Sequence, residues 1–157
     1  MQFQLLILAL SLSFFSCSNK LLTIKNPLEF ASLTMQRTAC YGTCPQYTVS
    51  ILNNGYVKYE GKNFVDKIGC HYSTISMETL SQIKDYISDI NFFSLDSVFN
   101  APMTDVPSVI IEVKLNSDTH KVIDRFNGPK ALKDFQKFID TIINSITTWS
   151  LCDVSIE

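Results

Sequence analysis

The chain has 157 residues, is 46% apolar and carries a formal charge of -2, with a pI near 5.6. That length suits one domain with a full core. The mild acidity argues against the basic footprint of a nucleic-acid binder or of a protein held by charge to anionic membranes. There is no basic run, low-complexity tract, collagen-like repeat or coiled-coil repeat.

The N-terminus differs in kind from the rest. Residues 5–15 are apolar, too short to span a bilayer as a mature helix but of the length of a signal-peptide core. Ser16-Cys17-Ser18-Asn19-Lys20 follows, and a cysteine placed after such a run and a small residue resembles the lipobox of bacterial lipoproteins. The resemblance implies a signal peptide over residues 1–16, lipidation of Cys17, a tether over 17–30 and a single domain over 31–157. Residues 1–4 lack Lys and Arg, and Phe14-Phe15 replaces the usual leucine and small residue, so an ordinary secretory signal is the alternative. Both readings send the domain across a membrane, into a compartment where disulfides persist.

A first strand is predicted over residues 32–38, with Leu33 and Met35 on one face. It runs into Arg37-Thr38-Ala39-Cys40-Tyr41-Gly42-Thr43-Cys44-Pro45-Gln46-Tyr47, a knuckle with two cysteines around a glycine. Gly42 is expected to turn the chain back with positive φ at no steric cost, and Pro45 sets φ as the next segment begins. Tyr47, Val49 and Ile51 alternate with Thr48, Ser50 and Leu52 in a second strand, and residues 56–60 form a third. A two-residue turn would set Ile51 beside Lys58. A three-residue turn, with Gly55 left-handed in a bulge, sets Ile51 beside Val57 and Val49 beside Tyr59. Only the second gathers apolar residues on one face, so it is predicted. Asparagine should be a much milder replacement for Gly55 than valine there.

Residues 67–75 read as a fourth strand, with Ile68, Cys70 and Tyr72 inward and Lys67, Gly69 and His71 outward. Ser76 caps the following helix, Glu78 suits its positive end, and Ile75 staples onto Leu80. Met77, Leu80, Ile83, Ile87 and Ile90 form its apolar stripe; Asn91 ends it, and Phe92-Phe93-Ser94-Leu95 packs under the sheet. Residues 96–107 read as a long loop without regular structure, a kind that tends to be functional or mobile. Strands over 109–115 and 120–126 meet at Asn116-Ser117-Asp118, a turn whose register the sequence leaves open. Gly128-Pro129 opens the last helix with proline at its first position. Its stripe is Leu132, Phe135, Ile139, Ile142 and Ile146, with Lys130, Lys133 and Lys137 on the solvated side. Trp149 and Cys152 fall in a short tail. The order β-β-β-β-α-β-β-α implies an α+β two-layer sandwich, mainly antiparallel, with both helices on one face. A shift of 62 positions lays Pro45, Tyr47, Val49, Ile51 and Asn54 on Pro107, Val109, Ile111, Val113 and Asn116, a hint of duplication.

The knuckle, Gly55-Tyr56-Val57-Lys58-Tyr59-Glu60-Gly61, Phe92-Phe93-Ser94-Leu95, Thr104-Asp105-Val106-Pro107 and Gly128-Pro129 occur here in that order. Together they resemble an uncharacterised domain family of predicted envelope lipoproteins from Bacteroidetes-type bacteria, over residues 33–146. The resemblance implies an envelope address and domain limits, and no catalytic residue.

With Cys17 lipidated, Cys40, Cys44, Cys70 and Cys152 remain, which allow three pairings. A glycine turn brings Cys40 within bonding range of Cys44, and elimination then leaves Cys70 with Cys152. Cys-x-x-x-Cys-Pro also has the spacing of copper chaperones of the Sco type, with His71 as a third ligand. Those sites lie where a strand meets a helix, whereas a strand follows Cys44. A redox pair lacks the helix N-terminus that lowers a thiol pKa, with only Arg37 close. No catalytic motif is present, and His71 and His120 lie on strand faces opposite apolar residues, suiting solvated or hydrogen-bonded structural roles. The predicted function is therefore a non-enzymatic envelope lipoprotein, without metal or cofactor, that binds a protein, peptide or glycan or plays a structural part. The alternative is a copper- or thiol-handling protein using Cys40 and Cys44. Binding is expected where the knuckle and the long loop each enter a strand through proline, with Arg37, Tyr41 and Asp105 as contacts.

Overall fold

A computed structural model describes residues 29–152 other than 101 and 104. The proposed signal peptide, Cys17 and most of the tether lie outside the described residues, as do residues 153–157 at the chain end. Alternating apolar residues build a central strand β1 (Phe30–Arg37), flanked by β2 (Gln46–Leu52) and β6 (Val109–Leu115), both antiparallel to it. Next to β2 come β3 (Tyr56–Asn63) and β4 (Gly69–Thr74), and next to β6 comes β7 (Thr119–Asp124). Two short edges complete the sheet: β5 (Val98–Phe99), parallel to β7, and β8 (Ser150–Leu151), antiparallel to β4. The fold is α+β, with eight strands in one mixed sheet and two helices, α1 (Met77–Asp89) and α2 (Lys130–Ser145).

The expected order of six strands and two helices is corrected at both edges. Part of the presumed loop, Val98–Phe99, pairs with Ile123 and Asp124, and the tail pairs with His71 and Tyr72. Strands this short carry no readable alternation. The first strand also starts earlier than expected, since buried Phe30 pairs with Leu115.

The β2–β3 turn has the predicted register, with Ile51 opposite Val57 and Val49 opposite Tyr59. Gly55 has φ 81°, and a Cβ there would lie 2.6 Å from the Ile75 carbonyl oxygen. Asparagine is therefore no mild replacement: the obstacle is that carbonyl as well as the backbone angle. The β6–β7 turn has one residue fewer between its last paired positions, Lys114 and Thr119, than the β2–β3 turn has between Ile51 and Val57, so that Val113 faces His120 and Ile111 faces Val122.

One buried cluster unites Leu33, Met35, Val49, Ile51, Val57, Ile111 and Val113 of the sheet with Leu80, Ile83, Leu132, Phe135 and Ile139 of the helices. Each fully buried aliphatic or aromatic side chain contributes about 1.5–3 kcal/mol. Ser76 caps α1 by accepting from the Thr79 amide at 3.1 Å, and Asn91 turns the chain with φ 49° into the single turn Phe92–Ser94. Met77, placed on the stripe by periodicity, is exposed. Pro129 is the residue before α2 rather than its first residue.

The faces of β4 are the reverse of the prediction. His71 pairs with buried Tyr59, whereas Cys70 and Tyr72 pair with exposed Glu60 and Lys58 on the outer face. Tyr72 stacks on Tyr56 at 5.9 Å there, so its apolar area is spent on a surface pair. His120 shares its face with buried Val113, and its Nε2 lies 2.9 Å from the Leu95 carbonyl oxygen. Neither histidine is opposite the apolar face, though the hydrogen-bonded structural role expected of His120 fits its contacts.

Candidate functional site

The end of β1 and the start of β2 place Arg37 opposite Tyr47, on the face where the helices pack. Asp140 reaches this pair from α2. Arg37 donates from Nε to Asp140 Oδ1 at 3.1 Å and lies 3.2 Å from the Tyr47 hydroxyl, and its second guanidinium nitrogen bonds Asp140 Oδ2. The Tyr47 hydroxyl donates to Asp140 Oδ1. Burial works against the Arg37 charge, but the hydrogen bond and charge of Asp140 outweigh it and raise the pKa above the ordinary value. Burial, then the bond to Asp140, pushes the Tyr47 phenol far above the usual range, so it remains a protonated donor.

Aromatic rings continue from that triad. Tyr47 stacks on Tyr59 with centroids 5.2 Å apart, and Tyr59 tilts against Trp149 at 5.7 Å. The tail holds Trp149 in place: its Nε1 donates to the Ile146 carbonyl at 3.0 Å, and Ser73 Oγ donates to the Thr148 carbonyl at 2.6 Å. Opposite these rings the β3–β4 loop crosses Gly61, where a Cβ would come within 1.7 Å of the Lys67 carbonyl oxygen. That approach requires glycine. The loop carries Phe64 at φ 54° with 55% of its surface exposed, a conformation bulky residues rarely hold. The same loop sets Lys67 Nζ 5.8 Å from the Trp149 ring centroid. Between loop, rings and α2 lies a cleft of about 430 Å³, with Asp66 and Asn144 at its polar wall. Burial first, then the negative charges of Asp66 and Asp140, push the Tyr59 phenol up to about 12.

Arg37 is thus part of the site, but as the partner of Asp140 and Tyr47 rather than as an anion receptor for the loops. The Tyr41 amide donates to the Asp105 carbonyl at 3.4 Å, so the knuckle and the long loop do meet, and Asp105 has φ 66°. Tyr41 is 93% exposed at the tip and does not line the cleft. Pro45 links the two regions, being in the knuckle and at the cleft wall.

Cys40 and Cys44 lie at disulfide distance with Cα atoms 5.8 Å apart, as do Cys70 and Cys152 at 5.4 Å. The second pairing arises on the outer face, not from an inward Cys70. Among the described residues no group of three His, Cys, Asp or Glu side chains is placed to hold a metal ion, and no helix is long and apolar enough to cross a membrane.

Asp140, Tyr59, Phe64, Asp66, Lys67 and Trp149 escaped the sequence reading. One signal was present on α2. Lys133, Gln136 and Asp140 form a polar row beside the apolar stripe, at spacings of three and four. Lys133 Nζ and Gln136 Nε2 each bond Asp124 Oδ2 at 2.9 Å, while Asp140 bonds Arg37. Lys133, assigned above to solvent, thus anchors a buried carboxylate.

These features define a small α+β module with one mixed sheet, two cysteine pairs and an aromatic cleft at one end. The chain belongs to a family described as a domain of unknown function, DUF6438, which matches residues 31–143. The match runs from β1 into the last turns of α2 and stops short of Trp149 and Cys152. No curated protein compared with the chain matches it.

Proposed function

We propose that the chain is a non-catalytic binding module of the bacterial cell envelope, tethered by a lipid on Cys17, that recognises its ligand through the cleft beside Arg37. The cleft itself carries the binding reading. Tyr47, Tyr59, Phe64 and Trp149 line about 430 Å³ together with a few polar side chains, the usual make-up of a recognition site. Tyr47 and Asp140 form no acid–base couple suited to turnover, because burial and Asp140 keep the phenol protonated while Arg37 and Tyr47 occupy the carboxylate. The address is supported by the leader and Cys17, and by two cysteine pairs of a kind that persists in oxidising compartments. Copper or thiol handling by Cys40 and Cys44 has less support, since the two sulfurs face each other at disulfide distance and no third ligand joins them among the described residues.

Two measurements test this. Fatty-acid labelling and membrane partitioning should both be lost in Cys17→Ser; unchanged partitioning without labelling defeats the lipid tether. Trp149 is the single tryptophan of the chain, so its emission reports the cleft alone. A fraction of envelope protein, peptide or glycan should shift that emission in wild type and less in Phe64→Ser. Silence from every fraction, or turnover of any component, defeats the binding reading.

A further inference from the structure

We infer that the cleft takes an alkylammonium group, seated on Trp149 beside Asp66 and Asp140, and that Lys67 is a tethered occupant which such a ligand displaces. The inference rests on the cleft being the binding site and names the chemistry of what enters it. Its first support is the occupant already there. Lys67 Nζ stands 5.8 Å from the Trp149 centroid, in the attractive range for a cation over an aromatic face. The backbone of Lys67 is held against Gly61, so the ammonium is delivered to the ring by a constrained loop.

The second support is charge. Two carboxylates, Asp66 and Asp140, line the cleft with Lys67 and Arg37. The Arg37 guanidinium is consumed by Asp140 and the Tyr47 hydroxyl. When the Lys67 ammonium leaves, the cation that remains in the cleft, Arg37, is bonded to Asp140 and not to Asp66, and an entering ammonium restores the balance. The raised pKa of the Tyr59 phenol reports the same negative field from Asp66 and Asp140, after the effect of burial. The third support is room: about 430 Å³ exceeds what a lysine tip occupies, and exposed Phe64 stands at the mouth as a further ring. An anion would meet Asp66, with the Arg37 guanidinium already taken by Asp140. A sugar would need the Trp149 face that Lys67 covers.

The test uses choline as probe, dimethylbutanol as its uncharged carbon isostere and N-acetylglucosamine as a neutral polyol. Trp149 emission and calorimetry read binding, and circular dichroism confirms folding of each variant. Choline should give a saturable change, with the isostere about tenfold weaker or more, as expected for a desolvated cation on an aromatic face. Lys67→Met should tighten choline binding by about two- to fivefold, because it removes the internal competitor. Asp66→Asn should weaken it by a similar factor. The inference is overturned if choline fails to bind wild type and Lys67→Met, if the isostere binds equally well, or if Lys67→Met weakens choline. Saturable binding of N-acetylglucosamine without choline would overturn it too, yet leave the cleft standing as a binding site. The broader reading falls only with the envelope-fraction experiment.

Discussion

On one side of β1 the β2–β3 ladder brings Gly61 opposite Tyr47; on the other, the β6–β7 ladder brings Asp124 opposite Val109. The two positions are equivalent about β1, because Tyr47 and Val109 both face Arg37. At Asp124 the structure closes. Its carboxylate is 4% exposed and takes bonds from Lys133, Gln136 and the Gly128 amide, which seals that end against α2. At Gly61 no side chain fills the space, a loop carbonyl crosses instead, and the cleft opens beside it. One helix serves both ends, with Gln136 on the closed one and Asp140 on the open one. The lesson is that two ladders in equivalent positions about β1 do not make two equivalent sites. What stands at the strand end decides whether the end is sealed or left available.

The largest way to break this contrast is Gly61→Ala. A methyl group 1.7 Å from the Lys67 oxygen forces the loop off the strand, and about 3–5 kcal/mol of stability should be lost. Urea denaturation measures it, with Gly42→Ala as control, since Gly42 does not have the positive φ expected of it and nothing stands nearer than 3.9 Å there. Equal midpoints for the two variants would remove the steric account of the open end.

Asp124→Ala attacks the closed end, stranding Gln136 and the Gly128 amide and leaving Lys133 unpaired, for about 2–4 kcal/mol. A pH series sharpens it. Burial raises the Asp124 pKa, but Lys133, Gln136 and the Gly128 amide outweigh it and hold the folded value below the ordinary one. Its contribution is therefore present above the unfolded pKa and lost as pH falls from about 4 through the lower folded value. Asp124→Asn should flatten that acid limb in thermal melts; an unchanged limb assigns it to other carboxylates.

Gly55→Val and Gly55→Asn should each cost about 2 kcal/mol, because the Ile75 carbonyl obstructs any Cβ. A mild asparagine variant in chemical denaturation would show that the turn relaxes and that only the backbone angle matters. The smallest effect is expected from Tyr47→Phe, which removes one donor while the Arg37–Asp140 pair remains, at about 0.5–1.5 kcal/mol. The same loss in Arg37→Met and in the double variant would show that the three groups act as one unit.

Much of this fold was legible in short-range pattern. Strand alternation gave the β2–β3 register because only one turn length buries Val49, Ile51, Val57 and Tyr59 together. Helix spacing and the Ser76 cap gave α1, and the cysteine spacing gave the knuckle. The failures share a cause. Cys70 and Tyr72 read as inward because their apolar character alternates correctly, yet a surface stack with Tyr56 and a cysteine pair at disulfide distance with the tail use it on the other face. Val98–Phe99 and Ser150–Leu151 are strands only by virtue of the edge beside them.

What the sequence by itself determined is the α+β class and the β2–β3 ladder, since these follow from periodicity and local turn chemistry. Tertiary structure alone decided the site. Arg37 and Asp140 are 103 residues apart, and Tyr59, Lys67 and Trp149 come from a strand, a loop and a tail. No local rule couples such positions. They meet because burying one face of the sheet fixes where α2 and the tail must lie, and because Gly61, near one strand end, lets the loop that carries Lys67 cross close to the strand.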